Sequence, residues 1–530
     1  MTRFTAKYGK YIKGFLSGLD RLVLRGTIRS IAFAEGLGAY LRTRHVSLVD
    51  YEAHVQQMTE LLVNNSLAEA KRDGVPIPYL DSSRVSKEDI ARHIAAERRI
   101  RQGPVCVIRI VEPCWTFDMY RNRETQRREL VARPRKCLHL YHYQIHPVFG
   151  FMNARIETWF PFNVQVCVNG REWLARQMDA AGVGYQRADN CFTDVEDFGR
   201  AQELLKEQLR VNWPELLDGI ARQLHPAHEQ IFEGYPANYY WSVYQSEWAT
   251  DIVFQDPEFM RGCYQKMVLY GITGLGSRDV MRFLGQKLTL AGEVRANFSG
   301  EVVSDMKKRQ EGVRIRHSVN ENSEKAYDKA YTEETAVLRV ENTMNNPDDF
   351  QVYRPKEGGP EDELAWRRLR RGIADLHRRC EVSQRANERY LDALAGADDS
   401  ATVGEMLAKI TEHKQWKGKR VRALNPFARE DQRLLAAANN GDFTINGMRN
   451  RDLQRLMFTD EPATPEERRR RSAWVTRKIR LLRAHGILQQ VSKTRRYQVT
   501  AEGRRILAAA LAATATPISR LTPEALENAA

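Results

Sequence analysis

The chain has 530 residues, of which 42% are hydrophobic and 28% charged, with a formal net charge of +14. This composition excludes an intrinsically disordered chain and is sufficient for about two to four domains. The positive charge favours a polyanionic partner but does not choose between DNA, RNA and an anionic surface.

Targeting and redox signals are absent from the sequence. The N-terminus lacks an apolar run with a small-residue cleavage site, and no segment reaches the roughly 20 apolar residues of a membrane span. The seven cysteines contain no C-x-x-C pair, which disfavours a zinc ribbon or a disulfide framework. We therefore expect a cytoplasmic protein without a membrane partner.

A strand is predicted at residues 19–33, LDRLVLRGTIRSIAF, with Gly26 as a bend or bulge. Asp20 lies at the entrance of this strand, flanked by Arg21 and Arg25. Its carboxylate is a candidate metal ligand, provided that other parts of the chain supply further ligands. The alternative is a turn residue or one half of an ion pair.

Helices are predicted near residues 34–43 and 51–72, and after Ser86, which begins a capping box. The main sheet of the first domain is predicted at residues 104–169, where short β-prone runs alternate with turn residues. His139 and His142 are three residues apart and would point to opposite faces of a strand, so a histidine metal site is disfavoured.

The most aromatic stretch is 235–254, YPANYYWSVYQSEWATDIVF. Its candidates for stacking on unpaired bases are Tyr239, Tyr240, Trp241 and Tyr244. Core packing is the favoured alternative, because aromatic residues at this density usually fill a protein interior. If the stretch is helical, Glu247 and Asp251 lie one turn apart and face one site.

A second β-rich region is predicted at residues 298–354. Residues 313–319 alternate apolar and basic side chains, which predicts a half-buried strand with Arg314 and Arg316 on its open face, available to a nucleic acid. Strands are also predicted at 323–328 and 336–342. The segment N-S-E-K-A-Y-D-K, followed by L-R-V-E, carries the most suggestive combination of side chains.

This segment resembles the Tyr-x-Lys and Arg-hydrophobic-Glu strands of rolling-circle replication initiators over about 20 residues. The resemblance implies a nucleophilic Tyr327, a phosphate or tyrosinate contact at Lys329 and a metal ligand at Glu341, with Asp20 as the early acidic ligand. A bound Mg²⁺ or Mn²⁺ would polarise the scissile phosphate. The favoured alternative is that Tyr327 and Glu341 are ordinary strand residues.

The C-terminal part is predicted to end in a basic helix followed by a two-stranded hairpin. Thr464 and Pro465 mark the start of the helix and Gly486 its end. Val475, Ile479 and Leu482 recur at helical spacing and predict its buried side. The candidate nucleic-acid contacts are Arg470, Arg471, Arg477, Lys478, Arg480, Arg483, Lys493, Arg495 and Arg496. The pattern resembles the winged-helix domains of bacterial regulators of the multiple-antibiotic-resistance type (MarR-type), and this resemblance implies DNA binding.

The sequence thus predicts an α+β protein: an N-terminal mixed α/β body with antiparallel sheets, a helical linker and a C-terminal winged helix. The predicted segments are an α+β domain at 1–230, a β-rich part at 231–353, a basic helical linker at 354–425, the winged helix at 426–510 and a tail at 511–530. Within the linker, residues 366–394 are predicted to form one long basic helix. The overall residue pattern of the chain resembles that of a bacterial family of large uncharacterised proteins.

Three functional hypotheses follow. The first is a DNA-binding protein of the mobile-element or replication-initiator type, with metal-dependent single-strand nicking by a tyrosine. The second is a winged-helix transcriptional regulator with a large sensory or oligomerisation domain, and the third is an RNA-binding protein. No nucleotide cofactor is expected, since no G-x-x-x-x-G-K-[ST] loop occurs.

Overall fold

The structure is a computed structural model that describes residues 2–515, except 125, 287–299, 310–311, 357–358, 361, 398–402, 441–446 and 492–493. Helices and strands are both abundant, which confirms the α+β class. The chain forms two compact units. Unit one contains residues 1–11, 256–328 and 388–530, and unit two contains residues 12–255 and 329–387. Each unit therefore draws on separated segments, whereas the predicted segments were contiguous.

The strands, in chain order, are β1 Ile12–Ile28, β2 Tyr79–Leu80, β3 Gly103–Arg121, β4 Arg128–His146, β5 Gly150–Glu157, β6 Val164–Asn169, β7 Tyr185–Ala188, β8 Cys191–Val195, β9 Tyr239–Phe254, β10 Val302–Arg309, β11 Gly312–Val319, β12 Asn322–Asp328, β13 Val337–Met344, β14 Gln351–Arg354, β15 Ala365–Arg368, β16 Lys414–Trp416, β17 Lys419–Val421, β18 Leu488–Gln490 and β19 Tyr497–Val499.

The helices are α1 Thr2–Tyr8, α2 Ala34–Thr43, α3 Tyr51–Arg72, α4 Lys87–Glu97, α5 Gly170–Ala181, α6 Phe198–Lys206, α7 Trp213–Leu224, α8 His228–Ile231, α9 Pro257–Thr273, α10 Ser277–Leu284, α11 Leu376–Leu394, α12 Val403–Thr411, α13 Arg429–Ala438, α14 Asn450–Met457, α15 Pro465–Ala484 and α16 Ala501–Ala515. Among the described residues, these helices include none with the length and apolar character needed to cross a bilayer.

Unit two is built on a sheet with the strand order β13-β9-β1-β6-β5-β4-β3-β2. Its pairings are antiparallel except for the short β2–β3 contact. β1 pairs with β9 along nearly its whole length and with β6 from Arg21 to Gly26, so this stretch is flanked on both sides. Leu22, Leu24 and Ile28 of β1 join the main hydrophobic core, together with residues of α2, α3 and α7.

The long strands of unit two differ from the predicted short ones. Four predicted runs between 104 and 142 form two 19-residue strands, β3 and β4, paired along their lengths. The cross-strand register continues past Pro113 and Pro134, although neither proline has an N–H to donate to the ladder. The predicted helix at 366–394 was also wrong in its first part, because residues 365–368 pair with β14 and the helix begins at Leu376.

Unit one contains the three-stranded antiparallel sheet β10-β11-β12. Tyr264 of α9 donates its hydroxyl to the carbonyls of Val313 and Ala326, at 2.8 Å each, and so attaches α9 to β11 and β12. The C-terminal part of this unit has the helices α13, α14 and α15, then the hairpin β18–β19 and α16. Val475, Ile479 and Leu482 of α15 are buried there, as their spacing predicts.

Candidate metal centre

A β-bulge on β1 organises the carboxylate cluster of unit two. Leu19 pairs with Trp248 of β9 and Arg21 pairs with Glu247, so Asp20 is an extra residue in the ladder. Bulges of this kind redirect a side chain and are over-represented next to functional sites. The bulge therefore places the Asp20 carboxylate among side chains of the neighbouring strands.

The register of β9 and β13 supplies the other acidic residues. Arg339 pairs with Asp251, Glu341 with Ala249, and Thr343 with Glu247. Because side chains two residues apart share one face of a strand, these alternating positions place the charged groups of both strands on a single face.

Asp20, Glu247 and Glu341 each offer a carboxylate oxygen, and these oxygens all lie within 4.8 Å of one another. Asp20 and Glu341 are buried, whereas Glu247 is partly exposed. Oxygen ligands at about 2.1 Å from Mg²⁺, or about 2.4 Å from Ca²⁺, are separated by at most roughly 4.2–4.8 Å across the ion. The spacing of the cluster thus suits a divalent cation.

Asp251 lies on the same face, but arginine side chains occupy both of its carboxylate oxygens. Arg339 Nε and Nη2 donate to its two carboxylate oxygens at 2.5 and 2.9 Å, and Arg171 Nη2 forms an ion pair with its Oδ2 at 2.9 Å. Arg339 Nη1 also donates to Asp20 Oδ2 at 3.2 Å. The Asp251 carboxylate is therefore held closely by two guanidinium groups, whereas Asp20 has one guanidinium within hydrogen-bond distance.

The start of α5 brings Arg171 beneath the sheet. Asn169 caps this helix by accepting the backbone N–H groups of Arg171 and Glu172 at 2.8 and 3.1 Å. A Cβ on Gly170 would lie 1.8 Å from the Leu19 carbonyl oxygen, so only glycine permits this contact with β1. The close approach places the fully buried Arg171 against Asp251 and, at 3.9 Å, Asp20.

The two aspartates respond oppositely to this environment. Burial raises the pKa of Asp20, and the nearby Glu341 and Asp251 raise it further, against the opposing charges of Arg339 and Arg171. Burial also disfavours the ionised form of Asp251, but Arg339 and Arg171 outweigh it and lower the pKa of that carboxyl. Lys329, also buried in unit two, adds to the field that keeps Asp251 ionised.

Asp20 retains an unused ligand atom. Its side chain is only 2% exposed, and its Oδ2 accepts from Arg339 and from Asn190 Nδ2, the latter at 3.0 Å. Its Oδ1 has no hydrogen-bond partner within the described part of the chain. A cationic atom, Arg171 Nε, lies 3.9 Å from this oxygen and also makes no hydrogen bond within the described residues. A buried acceptor without a hydrogen bond is costly, and a cation bound to Oδ1 would reduce that cost.

A polar cleft of about 220 Å³ opens beside the cluster. Asp20, Glu88, Asp189 and Glu247 lie in its wall together with Arg21, Arg92 and Arg187. Arg92 pairs with Glu88 at 2.8 Å and Arg187 pairs with Glu172 at 2.7 Å. The cleft therefore combines carboxylates suited to a metal with three arginines, two of which are engaged by carboxylates.

The residues predicted for the nicking reaction are divided between the two units. Asp20, Lys329 and Glu341 belong to unit two, whereas Tyr327 belongs to unit one, where it lies on β12 opposite Arg314. The cluster is accordingly defined by residues of unit two alone. Arg314 is buried and paired with Asp305 at 2.9 Å rather than on an open face, and Arg316 is partly exposed.

The predicted base-stacking residues occupy β9, which is a strand rather than a helix. Trp241 is buried and donates to Asp218 at 2.8 Å, and Tyr239 donates to the Phe162 carbonyl at 3.0 Å. The guanidinium of Arg29 covers the ring of Tyr240 at 3.1 Å. Tyr244 is the most exposed of the four.

The candidate cations of α15 fall into two groups. Arg471 binds Asp460 and Glu467, and Lys478 binds Glu430, so these two are engaged by carboxylates. The exposed cations of the helix and the following hairpin include Arg470, Arg477, Arg480 and Arg495, while Arg483 and Arg496 are partly exposed. Lys493 lies outside the described residues.

Two acidic residues on the face shared by β9 and β13, Glu247 and Asp251, were not predicted from the sequence to be metal ligands. Their spacing of four was interpreted as one helical turn, but four residues also return to the same face of a strand. The β-branched and aromatic composition of 239–254 was the available signal for a strand. The bulge at Asp20 has no comparable signal in the sequence.

No protein-family profile, no curated protein and no solved structure matches this chain.

Proposed function

We propose that the protein binds Mg²⁺ or Mn²⁺ at Asp20, Glu247 and Glu341 and cleaves DNA phosphodiester bonds as a mobile-element or replication-initiator type of enzyme. The observation that carries the proposal is the cluster of carboxylate oxygens of Asp20, Glu247 and Glu341, which lie within 4.8 Å of one another. The presence of Arg21, Arg92 and Arg187 in the wall of the adjoining cleft supports a phosphate substrate over a purely structural ion.

The chemistry assigned to the residues is simple. A divalent ion held by the three carboxylates supplies a Lewis acid that polarises the scissile phosphate. Arg21, Arg92 and Arg187 contribute positive charge at the cleft wall, where a phosphate oxygen could be held. In hydrolysis the oxygen of water bonds to phosphorus, the ester P–O bond breaks, and the leaving oxygen takes up a proton.

The nucleophile is either water or Tyr327. If Tyr327 attacks, its phenol oxygen bonds to phosphorus, the leaving hydroxyl is released, and a phosphotyrosine ester remains on the protein. Lys329 contributes positive charge that lowers the pKa of buried Asp251, and its role as a phosphate or tyrosinate contact stays a proposal. The metal-site proposal does not depend on which nucleophile is used.

The C-terminal part of unit one is proposed to be a winged helix that binds duplex DNA. Three helices precede a two-stranded hairpin, and Met448 pairs with Tyr497 to extend it. Arg470, Arg477 and Arg480 are spaced by seven and three residues, which places them on one exposed side of α15. Such a row of cations suits the phosphates of a groove.

The test of the metal site measures Mn²⁺ binding by titration calorimetry and Mn²⁺-dependent cleavage of labelled single-stranded DNA. Glu341→Gln should weaken Mn²⁺ binding at least about tenfold, since ligand charge sets affinity, and should abolish cleavage. The matched control is Asp118→Asn, which alters a buried, ion-paired carboxylate elsewhere in unit two. Unchanged Mn²⁺ affinity in Glu341→Gln contradicts the proposal.

Two further arms separate the remaining alternatives. Tyr327→Phe abolishes a covalent protein–DNA adduct if the tyrosine is the nucleophile, and cleavage without an adduct indicates hydrolysis.

The triple change of Arg470, Arg477 and Arg480 to Ala should flatten the salt dependence of duplex binding, because about three fewer phosphate contacts release fewer counterions. Duplex binding without metal binding or cleavage would favour a transcriptional regulator, and preferential RNA binding would favour the third hypothesis.

A further inference from the structure

The hairpin β14–β15 in unit two presents a pair of aromatic rings to solvent. Tyr353 and Trp366 are directly opposite in the ladder, and their ring centroids lie 5.7 Å apart. Their side chains are 54% and 69% exposed, although cross-strand aromatic pairs are normally buried on at least one side. We call these two side chains the aromatic pair.

The other side of the hairpin is firmly packed, so the aromatic pair stands on a rigid base. Phe350, Val352 and Leu369 form a small buried cluster with Met344 at the end of β13. Asp375 accepts from Arg370 Nε at 2.9 Å and from Arg378 Nη1 at 2.8 Å, which fixes the chain leaving β15. The exposure of the rings is therefore a consequence of strand alternation and not of a loosely attached segment.

Polar and cationic side chains accompany the aromatic pair. Gln351 and Arg368 form the next cross-strand pair and are exposed like the rings. Arg371, three residues beyond Arg368, is also exposed. The acidic residues Asp362 and Glu363 lie at the opposite, tip end of the hairpin. Two rings with cations at one end suit bases attached to a phosphate backbone.

The hairpin is attached to the two strands that contribute Glu247 and Glu341. β14 follows β13 after a short turn, and the Val243 N–H of β9 donates to the Arg371 carbonyl at 2.7 Å. Val243 precedes Glu247 by four residues, a distance of about 13 Å along a strand. A strand of nucleic acid lying across the aromatic pair would thus be within a few nucleotides of the carboxylate cluster.

We infer that the aromatic pair is a stacking platform for single-stranded DNA, an inference that rests on the proposed function for its choice of DNA. Every base offers a flat face to an aromatic ring, so the platform is tolerant of sequence. Arg368 holds the adjacent phosphates, and the tilted rings accept neighbouring unpaired bases. A duplex fits poorly because its base faces are already stacked on one another.

The experiment measures fluorescence anisotropy of labelled dT20, rU20 and a 20-base-pair duplex with the full-length protein in EDTA. Trp366→Ala and Tyr353→Ala should each weaken dT20 binding by about 5- to 150-fold, the range expected for losing one stacked base. Trp366→Phe retains a ring and should restore most of the affinity. Trp115→Ala is the matched control, since Trp115 is 59% exposed on β3 of the same unit.

Salt dependence supplies a readout that misfolding or lost charge would not reproduce. Removing a ring leaves the number of phosphate contacts unchanged, so the slope of log affinity against log salt should stay the same in Trp366→Ala. In Arg368→Ala that slope should decrease by about one contact.

Several results would overturn the inference. They are dT20 binding within twofold of wild type in both alanine variants, an equal loss in Trp115→Ala, an equal loss of duplex binding, or tighter binding of rU20 than of dT20. Because EDTA excludes metal, the anisotropy result is independent of cleavage. If both alanine variants bind dT20 like the wild type while Mn²⁺-dependent cleavage is present, only the platform is overturned. If the alanine variants lose dT20 affinity while the wild type neither binds Mn²⁺ nor cleaves DNA, only the metal site is overturned.

Discussion

Asp251 and Asp20 lie on the same side of the same sheet and contact the same arginine, yet their environments differ. Asp251 is enclosed by the guanidinium groups of Arg339 and Arg171, and its pKa is lowered. Asp20 accepts one hydrogen bond from Arg339 and one from Asn190. Its Oδ1 lies 3.9 Å from Arg171 Nε without a hydrogen bond, and its pKa is raised.

On our proposal, this difference separates a structural carboxylate from a metal ligand. A buried charge that is fully paired is accommodated by its network, whereas a buried carboxylate oxygen that accepts no hydrogen bond keeps a desolvation cost. The ion pair of Arg339 with Asp251 joins β13 to β9, and protonation, a neutral side chain or the proposed cation would each reduce the cost at Asp20. The comparison predicts opposite effects of the same chemical change at the two positions.

The largest effect is expected for Asp251→Asn. Removing this charge leaves Arg339 and Arg171 buried without their main counter-ion, so the free energy of unfolding should fall by about 3–5 kcal/mol. Urea denaturation followed by tryptophan fluorescence measures the loss. Asp118→Asn should cost only about 0.2–1 kcal/mol, because its partners Arg133 and Arg135 are partly exposed. An equal loss of unfolding free energy in Asp251→Asn and Asp118→Asn would show that the Asp251 network is no more important for stability than the Asp118 ion pairs.

The same network predicts an acid limit to stability. Because the pKa of Asp251 is lower in the folded than in the unfolded chain, its contribution is present above the unfolded value and lost as pH falls through the folded value. The melting temperature of the wild type should therefore decrease in the acid range below about pH 4, and Asp251→Asn should show a shallower decrease.

A divalent cation should stabilise the wild type by about 2.7 kcal/mol when Mn²⁺ is present at about 100 times its dissociation constant. Asp20→Asn and Glu341→Gln should lose most of this shift, since each removes a charged ligand. Differential scanning calorimetry with Mn²⁺ and with EDTA provides the measurement. A shift of the same size in all three proteins would place the ion elsewhere.

In EDTA, Asp20→Asn should stabilise the protein by about 0.5–2 kcal/mol, the opposite direction to Asp251→Asn. The raised pKa of Asp20 means that its stabilising contribution exists below the unfolded pKa and is lost as pH rises through the folded value. The neutral amide avoids that loss near pH 7. Destabilisation of more than about 1 kcal/mol would instead show that the contact with Arg339 dominates.

The smallest effect is a pH dependence of metal affinity. Since the cation competes with the proton on Asp20, Mn²⁺ binding should weaken as pH falls, beginning above the ordinary aspartate pKa of 3.8. Titration calorimetry between pH 5 and 7.5 in buffers of different ionisation enthalpy measures the released protons. A pH-independent affinity together with no proton release would indicate that Asp20 is already ionised in the free protein.

Local features of the structure follow closely from local sequence. Ser86 accepts the Asp89 N–H at 3.2 Å and Thr464 accepts the Glu467 N–H at 3.1 Å, so two helices begin where their capping residues indicate. Gly486 adopts a φ of 71° after α15, the left-handed conformation that its position predicts. These features depend on hydrogen bonds within a few residues and need no distant partner.

Only part of the candidate site could be predicted from the sequence. Asp20 was predicted as an acidic residue at the entrance of a strand and Glu341 from the resemblance to replication initiators, but nothing local shows that residues more than 300 positions apart share a sheet face. Tyr353 was predicted at the end of the β-rich part and Trp366 at the start of the long basic helix, so the sequence did not predict that they pair. Its strand pairing depends on the buried cluster around Phe350, which local propensity does not contain.

By itself the sequence determined the α+β class, the helix ends with capping residues, the buried stripe of α15 and the presence of acidic and aromatic residues. Tertiary structure alone decided the length of the strands, the bulge that turns Asp20, the division between Asp251 and Asp20, and the assembly of each unit from separated segments. The physical reason is that capping and periodicity act over a few residues. Register, burial and charge pairing depend on strands brought together from distant parts of the chain.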